Sequence, residues 1–495
     1  MTATTTDRPT RRRVDKRLFE SGSQCAKRLY LDARDEAATE TGSEELTALG
    51  ERVLELARQA FPGGVAVEAS EPEAGAARTR ELIESGRAPV IFGAWFVTEN
   101  AEISADIVIC APEGKLDLFE VKAGTTVKPR HLLDVALQIH TIEACGFHVE
   151  TASILHLDPR YRHRGGEGYP VQRLFKKANV TTRARKLVGR VSDRIDRILR
   201  QVDDVESLDL PMGTWCRHPL PCPRMIDCER TSPENSLVDL PQLSHAQEQR
   251  FHENGIETLS QIEPTAEGLT LMQRRALRSL RSGTVESEPF VHEELAALNP
   301  PLCFLYVQWQ MEMLPTFPNE RPWQHLPIAW SILRVLDDGT EEFDSFAITR
   351  PEDPRAPCLE NLAQALTGAG AVVIYQPEFH RRLHRSLSAD KHLKPHVRAL
   401  LSSRSLNLSE LVRRGVYHPG FRGAFDLETV HEALIGKKVK FGTAMRTRDD
   451  VTAAYRKLMN SRTRASTREK IAESLRARCE IFAEAIADTC RALQA

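Results

Sequence analysis

The feature that most constrains this chain is the stretch 103–122, Ile-Ser-Ala-Asp-Ile-Val-Ile-Cys-Ala-Pro-Glu-Gly-Lys-Leu-Asp-Leu-Phe-Glu-Val-Lys. Two short apolar runs, Ile107–Ile109 and Leu116–Phe119, flank a Pro-Glu-Gly turn signal, and this pattern predicts a β-hairpin. Asp106 is expected at the start of the first strand. Glu120 and Lys122 close the second, and the two-residue period of a strand places both on one face. Two carboxylates and an ammonium then converge. Carboxylate oxygens suit a hard cation such as Mg²⁺ or Mn²⁺, which polarises a phosphate and lowers the pKa of a bound water. The ammonium can orient that water or stabilise transition-state charge. Acids and lysines at a hairpin rim are more often solvated surface, so the triplet needs support from elsewhere in the chain.

Some of that support follows directly. Val127–Ile142 has the 3.6-residue apolar period of a helix packed against the hairpin, and it carries Gln138. Upstream, Val14–Asp35 reads as a short helical opening with Cys25 embedded in it. Ser43–Ala60 is a helix with Ser43 as N-cap, acids in its first turn and Phe61-Pro62-Gly63-Gly64 as its stop; Glu55 lies on it. A helix Ala76–Ser85 ends at Gly86, and strands are expected at Val90–Val97 and Glu150–Leu157. This order fits a mixed sheet with helices on its faces.

At 495 residues the chain has room for two or three domains. Lys+Arg 67 against Asp+Glu 69 leaves no global basic excess, so any nucleic-acid surface must be local. The densest basic stretch is 159–200, with Arg160, Arg162, Arg164, Lys176, Lys177, Arg183, Arg185 and Lys186 interleaved with Tyr161, Tyr169 and Phe175. It suits a phosphate backbone with rings that stack on bases, and equally a solvated helix face. No apolar run is long enough to span a membrane. The N-terminus lacks the apolar core of a secretory signal, and ten cysteines are too sparse for a disulfide scaffold. The expected location is cytoplasmic.

Cys216, Cys222 and Cys228 recur at even intervals of six within Trp-Cys-Arg-His-Pro-Leu-Pro-Cys-Pro-Arg-Met-Ile-Asp-Cys. Three thiols this close in a reducing compartment suggest metal ligation, which calls for a fourth ligand. Cys110 and Cys145 sit in apolar surroundings and look like core thiols. Cys25 remains.

The spacing Asp-x13-Glu-x-Lys resembles the PD-(D/E)XK nuclease signature. With Gln138 on the next helix, it resembles the RecB-like branch of that fold. One cysteine before the core and three after it is similar to the iron–sulfur RecB-like nucleases, such as the exonuclease of CRISPR spacer acquisition and the AddB helicase–nuclease subunit, although the three-cysteine spacing is wider than their CxxC form. The segments SGSQCAKRLYL, FEVKAGTTVK and PLPCPRMIDC look closer to an uncharacterised bacterial family that joins such a nuclease to an RNase H-like exonuclease domain. The resemblance implies an α/β protein: a restriction-endonuclease-like mixed sheet flanked by helices over 1–235, a helical connector over 236–295, and a second, RNase H-like α/β domain over 296–495.

Carried onto this chain, the resemblance implies metal binding by Asp106, Glu120 and the carbonyl of Val121. Lys122 would assist the water and Gln138 would orient Lys122 or the phosphate. Cys25, Cys216, Cys222 and Cys228 would hold a 4Fe–4S cluster, with zinc as the competitor for the same thiols. The implied activity is divalent-metal-dependent DNA cleavage, acting on single-stranded or duplex ends in repair, recombination or phage defence, with a helicase or defence-system partner. The alternative is a non-cleaving nucleic-acid-binding or scaffold protein of such an assembly. Two departures bear on this choice. Gly93 stands where relatives often carry a glutamate, and Glu55 is a candidate replacement. In the second domain, Tyr306, Gln308, Gln376, His380, Asn407 and Phe482 stand where relatives have catalytic acids or their neighbours, so that domain is expected to have lost its catalysis.

Overall fold

The computed structural model describes residues 12–35, 44–111, 114–166, 168–218, 220–230, 232–233, 235–387, 391–402, 405–441 and 445–494, with backbone alone at 44–47, 385–386 and 401–402. The chain divides into two compact units, Met1–Ser232 with Met313–Trp323, and Pro233–Glu312 with Gln324–Ala495. Both are mixed α/β. No helix among the described residues is long and apolar enough to cross a membrane.

The first unit opens with two short helices, α1 (Lys16–Gln24) and α2 (Ala26–Asp32). Asp15 caps α1 by accepting the Leu18 N–H at 2.7 Å, a contact worth about 1 kcal/mol. The helix does not run through Cys25, as the sequence suggests. Cys25 takes an extended conformation (φ −160°, ψ 136°) and separates α1 from α2. Then come α3 (Glu44–Arg58), β1 (Val65–Ala66), α4 (Pro72–Ser85), β2 (Val90–Val97), β3 (Glu102–Cys110), β4 (Lys115–Lys122), α5 (Pro129–Ala144) and β5 (His148–Leu157). Pro72 and Pro129 start their helices, where a missing N–H costs nothing, and Gly86 ends α4 in the left-handed conformation (φ 62°). The expected N-cap Ser43 and the turn residues Pro112 and Glu113 lie outside the described residues.

After β5 follow α6 (Val171–Leu174), β6 (Phe175–Asn179), α7 (Thr181–Val188), α8 (Val191–Gln201) and α9 (Met225–Glu229). The sheet order is β1-β2-β3-β4-β5-β6. The β2–β3 and β3–β4 pairs are antiparallel, β4 and β5 are parallel with α5 as the crossover, and β6 closes the edge antiparallel to β5. The apolar stripe of α5, including Val135, Ile139 and Ile142, is fully buried in the main core cluster with the inner faces of β2–β5. Asp106 lies in the body of β3, not at its start, because the strand begins at Glu102. Residues 102–106 alternate in burial, as a half-buried strand does, and extend the strand upstream of its apolar run.

The second unit contains α10 (His245–Glu253), α11 (Leu271–Ser282), β7 (Glu286–Ser287), α12 (Pro289–Ala296), β8 (Leu302–Met311), β9 (His325–Val335), β10 (Glu341–Ala347), α13 (Arg355–Ala365) and β11 (Ala371–Ile374). It continues with α14 (Phe379–Leu387), α15 (Lys394–Ser402), β12 (Ser405–Asn407), α16 (Leu408–Gly415), β13 (Val416–Tyr417), α17 (Leu427–Ile435), α18 (Arg448–Met459) and α19 (Ala465–Gln494). Its main sheet runs β10-β9-β8-β11-β12, antiparallel through β10, β9 and β8 and parallel through β8, β11 and β12. The segment 236–295, expected as a separate connector, belongs to this unit; β7 pairs with β13. The residues between β8 and β9, Met313–Trp323, belong instead to the first unit, where Trp323 donates its indole N–H to the Ala123 carbonyl at 2.7 Å.

In the first unit α1 packs closely on α8, and a Cβ at Gly22 would stand 2.6 Å from Ile198 Cγ1. Gly22→Leu should therefore cost about 3 kcal/mol through overpacking, more than its roughly 1 kcal/mol gain in helix propensity. A lowered urea midpoint checks this.

Candidate active site and cysteine loop

Register fixes the geometry here. Strands β3 and β4 pair from Cys110–Leu116 to Ile107–Phe119, and the next residues, Asp106 and Glu120, stand where the two strands part. The splay leaves the Val121 N–H for the Asp106 carboxylate, which accepts it at Oδ2, 2.7 Å away. Glu120, 3% exposed, accepts from Lys122 Nζ at Oε1 (2.7 Å) and from Lys16 Nζ (2.9 Å) and Gln138 Nε2 (2.8 Å) at Oε2. Asp134, one turn before Gln138 on α5, accepts from Lys122 (2.7 Å) and Gln138 (3.2 Å) and lies 3.8 Å from Lys16. The Gln138 Oε1 is buried and has no hydrogen-bond partner.

The structure thus brings Asp106, Glu120, Val121, Lys122 and Gln138 together. It adds Lys16 and Asp134, which the sequence reading missed. Burial pushes the Asp106 carboxyl up to about 7, and the charge of Glu120 adds to the shift. Burial also opposes ionisation of Glu120, but Lys16 and Lys122 outweigh it and hold that carboxyl below its ordinary range. For Lys122 the balance is the mirror image: burial works against its charge, while Glu120 and Asp134 raise its pKa. Beside these groups opens a cavity of about 830 Å³, lined by Lys16, Lys122 and Asp134, the basic side chains Arg17, Arg28 and Arg130, and an apolar wall that includes Phe19 and Leu137.

Gly93 lies on β2 between the pairs Phe92–Ile107 and Ala94–Ala105, in register with Asp106. Its φ is 64°, and an added Cβ would meet nothing closer than the Val67 carbonyl at 3.8 Å, so the position beside Asp106 is open. Glu55 does not fill it; that side chain is exposed and pairs with Arg52 at 2.6 Å.

The basic stretch does not form one continuous face. Arg160 pairs with Asp158 at 3.4 Å, Arg162 donates to the Asn319 carbonyl, and Arg164 is exposed in the same loop. Lys176 and Lys177 sit on the edge strand β6, with the Lys177 ammonium 4.5 Å from the Phe119 ring. Lysines on an edge strand also discourage unwanted pairing. Arg183 and Lys186 are exposed on α7, whereas Arg185 pairs with Glu143 of α5 at 2.8 Å and fastens the two helices.

The four candidate cysteines converge. Cys216 is perturbed by Cys25, Cys222 and Cys228, Cys222 by Cys25 and Cys228, and Cys228 by Cys25, so every pair interacts. Burial pushes the Cys216 thiol up to about 11. Among the described residues, however, no group of three or more His, Cys, Asp or Glu side chains is placed to hold a metal ion. The cysteine loop is tied to α1 and α2 by the protein itself. Gln24 donates to the carbonyls of Trp215 and Leu220, both at 2.9 Å. Arg224 bonds Asp32 (3.1 Å) and Asp35 (2.9 Å), and Asp32, 4% exposed, also accepts from Ser21 and Arg28. Cys145 lies elsewhere, donating to the Val97 carbonyl at 3.3 Å.

In the second unit Tyr306 and Gln308 lie within β8, Gln376 follows β11, Asn407 ends β12 and Phe482 lies within α19. Tyr306 stacks on Phe482 at 4.3 Å, Gln376 donates to the Val307 carbonyl at 2.7 Å, and Asn407 donates to the Gln376 carbonyl at 3.1 Å. Gln308 accepts from Arg478 at 3.3 Å, and the Arg478 guanidinium also lies 4.9 Å from the Phe482 ring. His380 pairs with Ser405 at 2.7 Å. The nearby acids Glu312, Glu378 and Asp488 pair with Arg456, Arg381 and Arg491.

Residues 309–426 match one family. Its description reads "Domain of unknown function (DUF2779)", and the match begins in β8 and covers less than half of the chain. No curated protein and no solved structure matches.

Two outcomes follow from the geometry. Removing the shared acceptor in Asp32→Ala leaves Arg28 and Arg224 partly buried without it, an expected cost of about 3 kcal/mol with faster proteolysis within 214–230. In cation-free protein, Asp106 holds its proton more tightly folded than unfolded. Its stabilising contribution is full below roughly pH 4 and is lost as pH rises through about 7. Stability should accordingly fall between about pH 4 and 7, and Asp106→Asn should flatten that fall in denaturant titrations.

Proposed function

We propose that the first unit is a divalent-metal-dependent nuclease that hydrolyses DNA phosphodiesters at single-stranded ends. The observation that carries this reading is the meeting of Asp106, Glu120, Lys122 and Gln138 at the point where β3 and β4 part. Mg²⁺ is commonly bound by one or two carboxylates, several waters and substrate phosphate, so two acids fit it without a three-acid cage. The orphaned Gln138 Oε1 supplies a buried acceptor for that hydration shell. A bound Mg²⁺ or Mn²⁺ would supply the Lewis acidity that activates water and phosphate.

The chain's own groups do the rest. Asp106 and Glu120 hold the ion, with the Val121 carbonyl as a further donor. Gln138 orients Glu120, and Lys122 places a positive charge where the transition state gains negative charge. Arg130, at the start of α5 on the lining of the cavity, takes a flanking phosphate.

The four cysteines are assigned to a 4Fe–4S cluster. Zinc holds thiols at about 2.3 Å, hence roughly 4 Å from one another. The mutual electrostatic influence of the four thiols supports placing them in one site, and the cluster rather than zinc is what the cysteine pattern of the iron–sulfur RecB-like nucleases implies. The second sheet, with three antiparallel strands followed by two parallel ones, supports the RNase H-like reading. Its amide and aromatic residues give that unit a binding or architectural role. Work in repair, recombination or phage defence beside a helicase or defence-system partner is part of the same proposal.

A second reading, a non-cleaving nucleic-acid-binding or scaffold protein, is favoured by Gly93 and by the full engagement of Glu120 with internal donors. Cleavage of labelled single- and double-stranded DNA under Mg²⁺ or Mn²⁺ separates the two. Lys122→Ala should lower the rate by about 10²–10⁴-fold. Equal rates would overturn the nuclease assignment, and binding without cleavage by wild-type protein would establish the second reading. Anaerobic preparations should contain iron and sulfide in equal amounts; zinc in their place would overturn the cluster.

A further inference from the structure

The Glu120 carboxylate already has two cationic partners, one of them from a remote part of the chain. Lys16 is the first residue of α1, and its ammonium lies between Glu120 Oε2 (2.9 Å) and Asp134 Oδ1 (3.8 Å). Its side chain is 31% exposed and lines the cavity, so the ammonium has room to turn without movement of the helix. We propose that Lys16 is a resident counter-cation that yields Glu120 to a single divalent ion and then serves the phosphodiester in the cavity. This inference rests on the nuclease reading and adds to it the number of ions and the residue that matches substrate charge.

Charge decides the stoichiometry. Once an incoming ion has displaced the Asp106 proton, with Asp106, Glu120 and Asp134 ionised and Lys16 and Lys122 protonated, the side chains of the cluster sum to one net negative charge. One divalent ion turns this into one positive charge, and the single negative charge of a phosphodiester neutralises it. A second divalent ion would leave three positive charges in a largely buried site, at a steep electrostatic cost. Without Lys16 the loaded site would be neutral before substrate arrives. The ion would then bind more readily and the phosphodiester less readily. A purely structural salt bridge predicts no such opposition of signs.

The experiment uses the full-length protein and two probes, Mn²⁺ alone and a single-stranded oligonucleotide with Ca²⁺ to suppress turnover. Calorimetry should give a single Mn²⁺ site in wild-type protein, and Lys16→Met should bind Mn²⁺ about tenfold more tightly and the oligonucleotide about tenfold more weakly. Lys16→Arg, which keeps the charge, should restore both affinities toward wild type and remains informative if the Met variant folds poorly. Unchanged or weaker Mn²⁺ binding in folded Lys16→Met, or two Mn²⁺ sites in wild type, would overturn this inference while leaving DNA cleavage and the nuclease reading intact. Wild-type protein that neither binds Mn²⁺ nor cleaves would overturn both.

Discussion

An ionised carboxylate placed within a sheet and 3% exposed is stable only if the surrounding chain returns what water would have given it. Glu120 meets that condition with two ammonium groups and one amide, contributed by α1, β4 and α5. Each donor imposes a requirement on the fold. β4 must leave β3 at this residue so that the strand edge faces the cluster, and the end of the β3–β4 ladder at Ile107–Phe119 provides this. α5 must cross back over the sheet with Asp134 and Gln138 on its inner side, which the parallel β4–β5 pairing enforces. α1 must dock at a fixed height, and Asp15 at its start and Gly22 against Ile198 near its end set that height.

The same short helix carries both sites. Lys16 begins α1 and Cys25 follows its last residue, so the acid cluster and the cysteine loop lie at opposite ends of a rod roughly 13 Å long. Gln24 and Arg224 fasten the loop to α1 and α2 through backbone carbonyls and buried carboxylates. The loop and Glu120 are thereby both in contact with one short helix.

Much of this was legible in the chain because it depends on local periods. Strand Val90–Val97 falls where its apolar run ends, and the Gln138 helix falls on its 3.6-residue stripe. Asp106 was misplaced within its strand because Glu102, Ser104 and Asp106 alternate with Ile103 and Ala105, a half-buried pattern that an apolar-run criterion passes over. Asp134 carried a readable signal, its i, i+4 spacing to Gln138. Lys16 carried none. It is 104 residues from Glu120, and nothing in its own neighbourhood distinguishes it from Arg17 or Arg12. The basic stretch shows the opposite failure, in which density of charge suggested a surface while pairing with Glu143 gave Arg185 a structural task.

The two units handle positive charge at strand ends in contrasting ways. In the first, the cations are lysine ammoniums that partly face a cavity, compact charges on flexible stems that can exchange one oxygen for another. In the second, one such cation is Arg478, 8% exposed, bonded to Gln308 and the Arg446 carbonyl and set 4.9–5.0 Å from the rings of Phe482 and Phe441. A planar guanidinium held this way cannot turn aside for an incoming ion, and its fixed charge repels one. Amide side chains beside it cannot compensate, since neutral oxygens bind divalent ions far more weakly than carboxylates do. On physical grounds, a divalent ion would meet less fixed opposing charge beside the flexible lysines of the first unit than beside Arg478.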